Sequence, residues 1–327
     1  MSLRAILICL TSMLCWSLLI VTTRATMQAF ALDPWIFTVV QIMCGGLFLI
    51  LIGGRVRECW ITITNPFTWG YGFLRVVSSA CYTASLITVS AAVAGYFTFM
   101  AIPLSAAAVA YIFARPSAPM ELYGHIIITI GLIMLVYGIE GTWANPAVIM
   151  MLFAEIAIVM ATLMAEKHPQ NQGDSSRSRA TLSGVMLLAS GAFFLIFLAL
   201  GSFFSSGIGT DAQAGTWAAS FPSLDLTQVW SSTLWLWAIA IGLTLRGAAM
   251  FMSMQAIRAA GSENYLAMAA LLPLFALLFE MIAQHYGFIT NGMPTPMTLA
   301  AGVIMTIGAF WIIIARRQKT KLKAQAA

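Results

Sequence analysis

Charge is what this sequence has least of. Only 8% of its 327 residues are Asp, Glu, Lys or Arg, against about 25% in a soluble domain, while 61% are hydrophobic and the mean hydropathy is +0.91. A water-soluble globule cannot hide that much apolar surface, so the composition points to a polytopic membrane protein. Histidine is scarce as well. His125, His168 and His285 fall in three separate segments, with no H-x-x-x-H pair, no G-x-S-x-G and no P-loop. An intramembrane hydrolase needs paired acids or a Ser/His arrangement at matched depth, and neither is present, so the enzyme readings fall away. The five cysteines (Cys9, Cys15, Cys44, Cys59 and Cys81) are odd in number and form no C-x-x-C or Cys/His ligand set. Free thiols are expected, with no disulfide framework, zinc or other cofactor. Without basic–aromatic interleaving, nucleic acid is set aside as a partner. A selectivity-filter loop and rings of like charge are also missing, which leaves a channel as the more distant alternative.

What is present is a series of long apolar runs. Ten of them approach the roughly 20 residues that cross about 30 Å of hydrocarbon, near residues 5–26, 34–53, 69–90, 94–114, 121–139, 145–165, 181–203, 233–256, 265–284 and 297–315. The first is longer than a signal-peptide core and reads as a retained span. Polar breaks such as "GGRVRE" and "EKHPQNQGDSSRSRA" separate the runs. The longest, 205–232, holds no Lys or Arg and is a candidate for a short interfacial helix. With a cytoplasmic N-terminus, thirteen basic residues (Arg4, Arg55, Arg57, Arg115, Lys167, Arg177, Arg179, Arg258, Arg316, Arg317, Lys319, Lys321, Lys323) fall on the cytoplasmic side and none in an external loop. The external breaks hold Asp33, Glu140, Asp211 and Asp225 instead. This asymmetry predicts an inner-membrane protein with both termini cytoplasmic, its basic tail at 317–327 a cytoplasmic juxtamembrane end in contact with the bilayer's inner side.

An internal repeat emerges from the same runs. "AVAGYFTFMAIPL", ending in Pro103 and Leu104, aligns with "SENYLAMAALLPL", ending in Pro273 and Leu274, 170 positions later. Further on, "IIITIGLIML" around Thr129–Gly131 aligns with "VIMTIGAFWI" around Thr306–Gly308, offset by 177. Five helices per half is an odd number, so the halves 1–142 and 143–316 must run in opposite senses through the membrane. The expected fold is an all-α membrane protein of ten transmembrane helices in two inverted five-helix repeats.

Five plus five helices, Trp16 in "LCWSLL" of the first, a proline in the fourth helix of each half and a Gly-containing fifth helix in each half resemble the drug/metabolite transporter superfamily, EamA type. An Arg in the third helix followed by an aromatic seven residues on, Arg75 and Tyr82, is similar to the branch that includes S-adenosylmethionine and amino-acid carriers. The resemblance implies a carrier of small metabolites. Where the family pattern has an acidic residue about a dozen positions after each proline, this chain has Arg115 and His285.

A carrier of that kind needs polar or aromatic side chains facing a cavity near the membrane midplane. Arg75, Ser78, Ser79 and Tyr82 follow i, i+3, i+4, i+7 spacing and share one helix face. At 1.5 Å per residue Arg75 lies roughly 10 Å from the inner surface and Arg246 roughly 20 Å from the outer one, so both sit at similar depth. The substrate-binding candidates are therefore Trp16, Arg75, Ser79, Tyr82, Tyr96, Arg246 and Tyr265. Glu155 and Glu280 are candidate coupling or structural charges, with protons as the coupling ion to weigh, and Arg24 either ties helices together or snorkels to the outer interface. Gly124, Gly131 and Gly138 recur every seven residues and read as close helix packing. Two intramembrane acids against three basics favour a substrate bearing a carboxylate, such as an amino acid or derivative. The rival reading is an organic cation or quaternary amine held by aromatics. Either substrate suits a monomer or a homodimer.

Overall fold

Polar capping residues stand where the apolar runs begin. Asp33 accepts from the amides of Trp35 and Ile36, Asn145 from Ala147, and Ser90 from Val93, while Pro34 and Pro146 occupy first helical turns, where an N–H has no partner to lose. The computed structural model describes residues 2–54, 56–86, 89–113, 118–139, 145–173, 175–207, 228–289 and 295–326. Its helices in chain order are α1 (Leu3–Phe30), α2 (Pro34–Gly53), α3 (Val56–Ile63), α4 (Pro66–Leu86), α5 (Ala91–Phe97), α6 (Ala101–Phe113), α7 (Pro119–Tyr137), α8 (Pro146–Lys167), α9 (Pro169–Gln172), α10 (Ser176–Gly207), α11 (Ser232–Ile241), α12 (Gly247–Ala260), α13 (Ser262–Met268), α14 (Leu272–His285) and α15 (Pro296–Ala326).

Nine helical stretches among the described residues are long and apolar enough to cross a bilayer. The chain is thus an all-α, multi-pass membrane protein. Helix α4 is not among the nine. Its 21 residues reach about 31 Å, but Arg75 and several serines and glycines dilute its apolar character. The Val89 amide still donates to the Ser85 carbonyl, and Ser90 then caps α5. Helix α15 runs on to Ala326, so the basic stretch after residue 316 continues a helix. Within the long break at 205–232, α10 extends to Gly207 and a single 3₁₀ turn covers Gln228–Trp230; the interfacial helix expected between them lies outside the described residues. Arg55, Arg115, Glu140, Asp211 and Asp225 of the charge count lie outside them too.

Close approaches at glycines set the packing. A Cβ on Gly124 of α7 would stand 2.8 Å from the Gly308 carbonyl oxygen of α15, and one on Gly131 would stand 3.1 Å from the Ala301 oxygen. Moving forward along α7 moves backward along α15, so the two helices cross antiparallel with backbones nearly touching. Gly46 of α2 and Gly184 of α10 approach each other in the same way, at 2.9 and 2.7 Å. Helix α4 packs on α8 and α10, while α1 packs on α12 and α14.

Three spans are irregular midway. The α5–α6 and α13–α14 spans are each interrupted by a 3₁₀ turn, Thr98–Met100 and Ala269–Leu271. Pro103 and Pro273 explain both breaks: each ring clashes with the carbonyl four residues back, at Phe99 and Ala269, inside those turns. Between α11 and α12 the chain widens into a π turn, Gly242–Arg246, a feature frequent at functional sites. There the missing side chain of Gly242 matters, since its Cβ would lie 2.7 Å from the Gln41 carbonyl oxygen.

Outside the spans, the end of α8 is fixed to the short helix α3. His168 is fully buried, accepts from the Gln170 amide at Nδ1 and meets the Thr68 hydroxyl at Nε2, 3.1 Å away. Because Thr68 donates to the Thr62 carbonyl, Nε2 carries the proton and the ring is neutral. Burial lowers its pKa from 6.5 to about 4.

Candidate functional site

The broken helices, α1, α2, α4, α8 and α12 surround a cavity of about 120 Å³. That is space for on the order of ten water-sized groups, the scale of a small metabolite. Both 3₁₀ interruptions reach it, through Thr98 and Ala269. Trp16, Arg75, Ser78, Ser79, Tyr82, Glu155, Arg246, Ser253 and Tyr265 line it, so the shared face of α4 points inward as its spacing predicts.

Trp16 forms its centre. The Arg75 guanidinium carbon lies 4.5 Å from the indole ring centroid and that of Arg246 lies 5.9 Å away, so two cations converge on one aromatic. The indole N–H donates to the Ser253 hydroxyl at 2.6 Å, and the Ser253 and Tyr265 hydroxyls are 2.9 Å apart. Ser253 donates in turn to the Ala249 carbonyl, which fixes its orientation. This chain of bonds locks Trp16 and Tyr265 in place before any ligand arrives.

Arg75 and Arg246 are each 8% exposed, and no carboxylate among the described residues lies within ion-pair distance of either. Arg246 donates to the Gln41 side-chain oxygen at 3.3 Å, and the Gln41 amide donates to Thr23. One carboxylate, Glu155, lines the cavity at 2% exposure; its Oε2, the Tyr82 hydroxyl and the Thr38 hydroxyl are buried with no hydrogen-bond partner among the described residues. Buried polar atoms left without partners need an explanation, and a bound molecule supplies one.

Two candidates lie elsewhere. Tyr96 does not reach the cavity: it is buried against α15, with ring atoms where a Cβ on Gly302 would sit. Glu280 also lies outside the cavity. It pairs with Arg24, and its Oε2 accepts from the Ala92 amide at the start of α5, at 3.0 Å. Arg24 is only 5% exposed and does not snorkel, because this buried carboxylate neutralises it within the bundle. Through these contacts Glu280 joins α1, α5 and α14.

Thr38 and Ser253, which line the cavity, and Gln41, which holds Arg246, are absent from the sequence-based candidate set. Gln41 had a signal, as the one amide in the apolar run "TVVQIMCGG". Ser253 had one too, seven residues after Arg246. Glu121, in the first turn of α7, was also not singled out; it is 4% exposed and binds Arg316 at 3.0 Å.

No family model matches the chain, and no curated protein matches it. Among solved structures 28 chains match. One, described as "Crystal structure of protein", superposes with a TM-score of 0.62 at 18% identity, covering 97% of this chain and 99% of the other. That likeness extends over the whole chain and concerns the fold alone.

Proposed function

We propose that this protein is a secondary carrier of a small organic metabolite bearing a carboxylate, with an amino acid or derivative favoured. The observation that carries the reading is the pair Arg75 and Arg246, two buried guanidiniums facing one small cavity with no carboxylate of the described residues within ion-pair distance, the cavity's Glu155 included. A carboxylate between them would gain charge-assisted bonds that the protein itself does not supply. Glu155 and the Tyr82 hydroxyl stand ready on the same cavity for an amino group, so a zwitterion matches the charges better than a simple anion. The organic-cation reading weakens here, because the protein's own arginines occupy the Trp16 ring.

Alternating access between two inverted five-helix halves fits this arrangement. Broken spans recur at Thr98–Met100 and Ala269–Leu271, and the antiparallel crossing of α7 with α15 pairs Gly124 with Gly308 and Gly131 with Ala301. Under the 177-residue offset of the sequence repeat, Gly124 corresponds to Ala301 and Gly131 to Gly308, so those two contacts exchange under a two-fold operation. The contact of α4 with α8 corresponds likewise to that of α12 with α1. These features support the ten-helix inverted repeat of the drug/metabolite transporters, in an inner membrane with both termini cytoplasmic.

The test is a thermal-shift screen of the purified protein against small metabolites, followed by counterflow in proteoliposomes. Carboxylates should raise the melting temperature and their amide analogues should not, with saturable counterflow of the same compounds. Stabilisation by quaternary amines alone, or ohmic single-channel current, would reject the proposal.

A further inference from the structure

A second cavity, of about 390 Å³, is cut into the side of the bundle away from the arginine site. Its walls are α1, through Ile6 and Leu10, and α15, through Phe310 and Ile313; its floor is the 3₁₀ turn of the second broken span, through Ala270 and Leu271. The hollow follows from that break: small residues replace a full helical turn there, and α1 and α15 stand apart across it. Phe310 is 50% exposed and Ile314 54%, so the cavity opens onto the lipid-facing surface.

Its length and its ends identify the occupant. Along α15 the lining runs from Thr306 to Arg316, about 15 Å, which is one leaflet of a hydrocarbon core about 30 Å thick. Nearly all of it is apolar, and Arg316 closes one end, held there by Glu121 and Glu263. In sequence, Arg4 lies in the first turn of α1, two residues before the lining Ile6, and Arg317, Lys319, Lys321 and Lys323 follow Arg316 along α15. By sequence these two helix ends carry six basic residues, against the two acids Glu121 and Glu263 that hold Arg316. A groove one leaflet long, apolar inside and basic at its mouth, complements a single phospholipid.

We propose that this groove is a binding site for an anionic phospholipid, one acyl chain lying between α1 and α15 over the Ala269–Leu271 turn and the phosphate headgroup at the basic end. A free phosphate lacks the chain the groove takes, and a zwitterionic lipid lacks the charge its mouth takes. The site is independent of the carrier reading, since none of its residues lines the arginine cavity.

The test uses the delipidated full chain in detergent, with phosphatidylglycerol and phosphatidylcholine of identical chains, read by native mass spectrometry and melting temperature. Phosphatidylglycerol should be retained at least fivefold more than phosphatidylcholine and should raise the melting temperature, while glycerol 3-phosphate leaves it unchanged. Ile313→Trp and Leu10→Trp fill the groove from opposite walls, and each folded variant should lose the retained lipid. Changing Lys319, Lys321 and Lys323 together to Gln should abolish the preference for phosphatidylglycerol. Equal retention of the two lipids, equal stabilisation by glycerol 3-phosphate, undiminished retention in a folded Trp variant, or a preference that survives the triple change would each overturn the assignment.

Discussion

Arg75→Lys separates a substrate contact from a structural tie. The side chain is buried, its guanidinium carbon sits 4.5 Å from the Trp16 centroid, and no described carboxylate is within reach of it. Lysine preserves the positive charge and so the gross electrostatics of the cavity. It replaces a planar fork of donors with a compact ammonium, which cannot grip a carboxylate through two parallel bonds. One lost charge-assisted bond of about 1.5 to 3 kcal/mol, partly restored by the ammonium, leaves a deficit of about 1.4 kcal/mol or more, or tenfold in affinity. Titration calorimetry with a ligand from the carboxylate screen should therefore give a Kd raised about tenfold or more, on protein that remains folded and monodisperse. Arg75→Ala should bind more weakly still, measured on protein that remains folded. Unchanged affinity in a folded Arg75→Lys protein would refute the assignment of this residue to the substrate.

The contrast is Arg24→Ala, which strands the buried Glu280 carboxylate and should cost about 3 to 5 kcal/mol, read as a large drop in melting temperature; Arg24→Met combined with Glu280→Leu should recover much of it. Gly124→Ala forces a Cβ to within 2.8 Å of the Gly308 oxygen and should destabilise the α7–α15 crossing by about 1 to 3 kcal/mol, measured by thermal unfolding with ligand binding retained. His168 is neutral in the fold with its pKa lowered to about 4, so its contribution is complete above pH 6.5 and is lost as pH falls toward 4. Melting temperature should consequently fall between pH 7 and pH 5, and His168→Gln should flatten that dependence; an unchanged slope would show that another group controls it.

Much of the candidate site was legible because helical periodicity is a local property. Spacing alone put Arg75, Ser78, Ser79 and Tyr82 on one face, and the cost of turning that face toward lipid fixed its direction inward. Depth counting placed Arg246 level with Arg75, and both now stand at the Trp16 ring. Partner choice was not legible. Arg24 and Glu280 are 256 positions apart, and either arginine of the cavity was as reasonable a match for either acid until the packing was known. Nor was the neighbour of Tyr96, which packs on Gly302 of α15, more than two hundred positions away, and not on the cavity.

The sequence by itself determined the class of molecule and the approximate spans, because hydropathy over about 20 residues depends on composition within each segment and not on its neighbours. Which charges would pair, and which would be left facing a cavity, only the tertiary structure decided. A guanidinium within the membrane must meet a carboxylate, a dipole, an aromatic face or a ligand, and the choice among these turns on distances of a few ångströms set by glycine contacts such as Gly46 with Gly184 and by the turns at Thr98–Met100 and Ala269–Leu271. Those contacts join residues more than a hundred positions apart, so they close only when the helices pack.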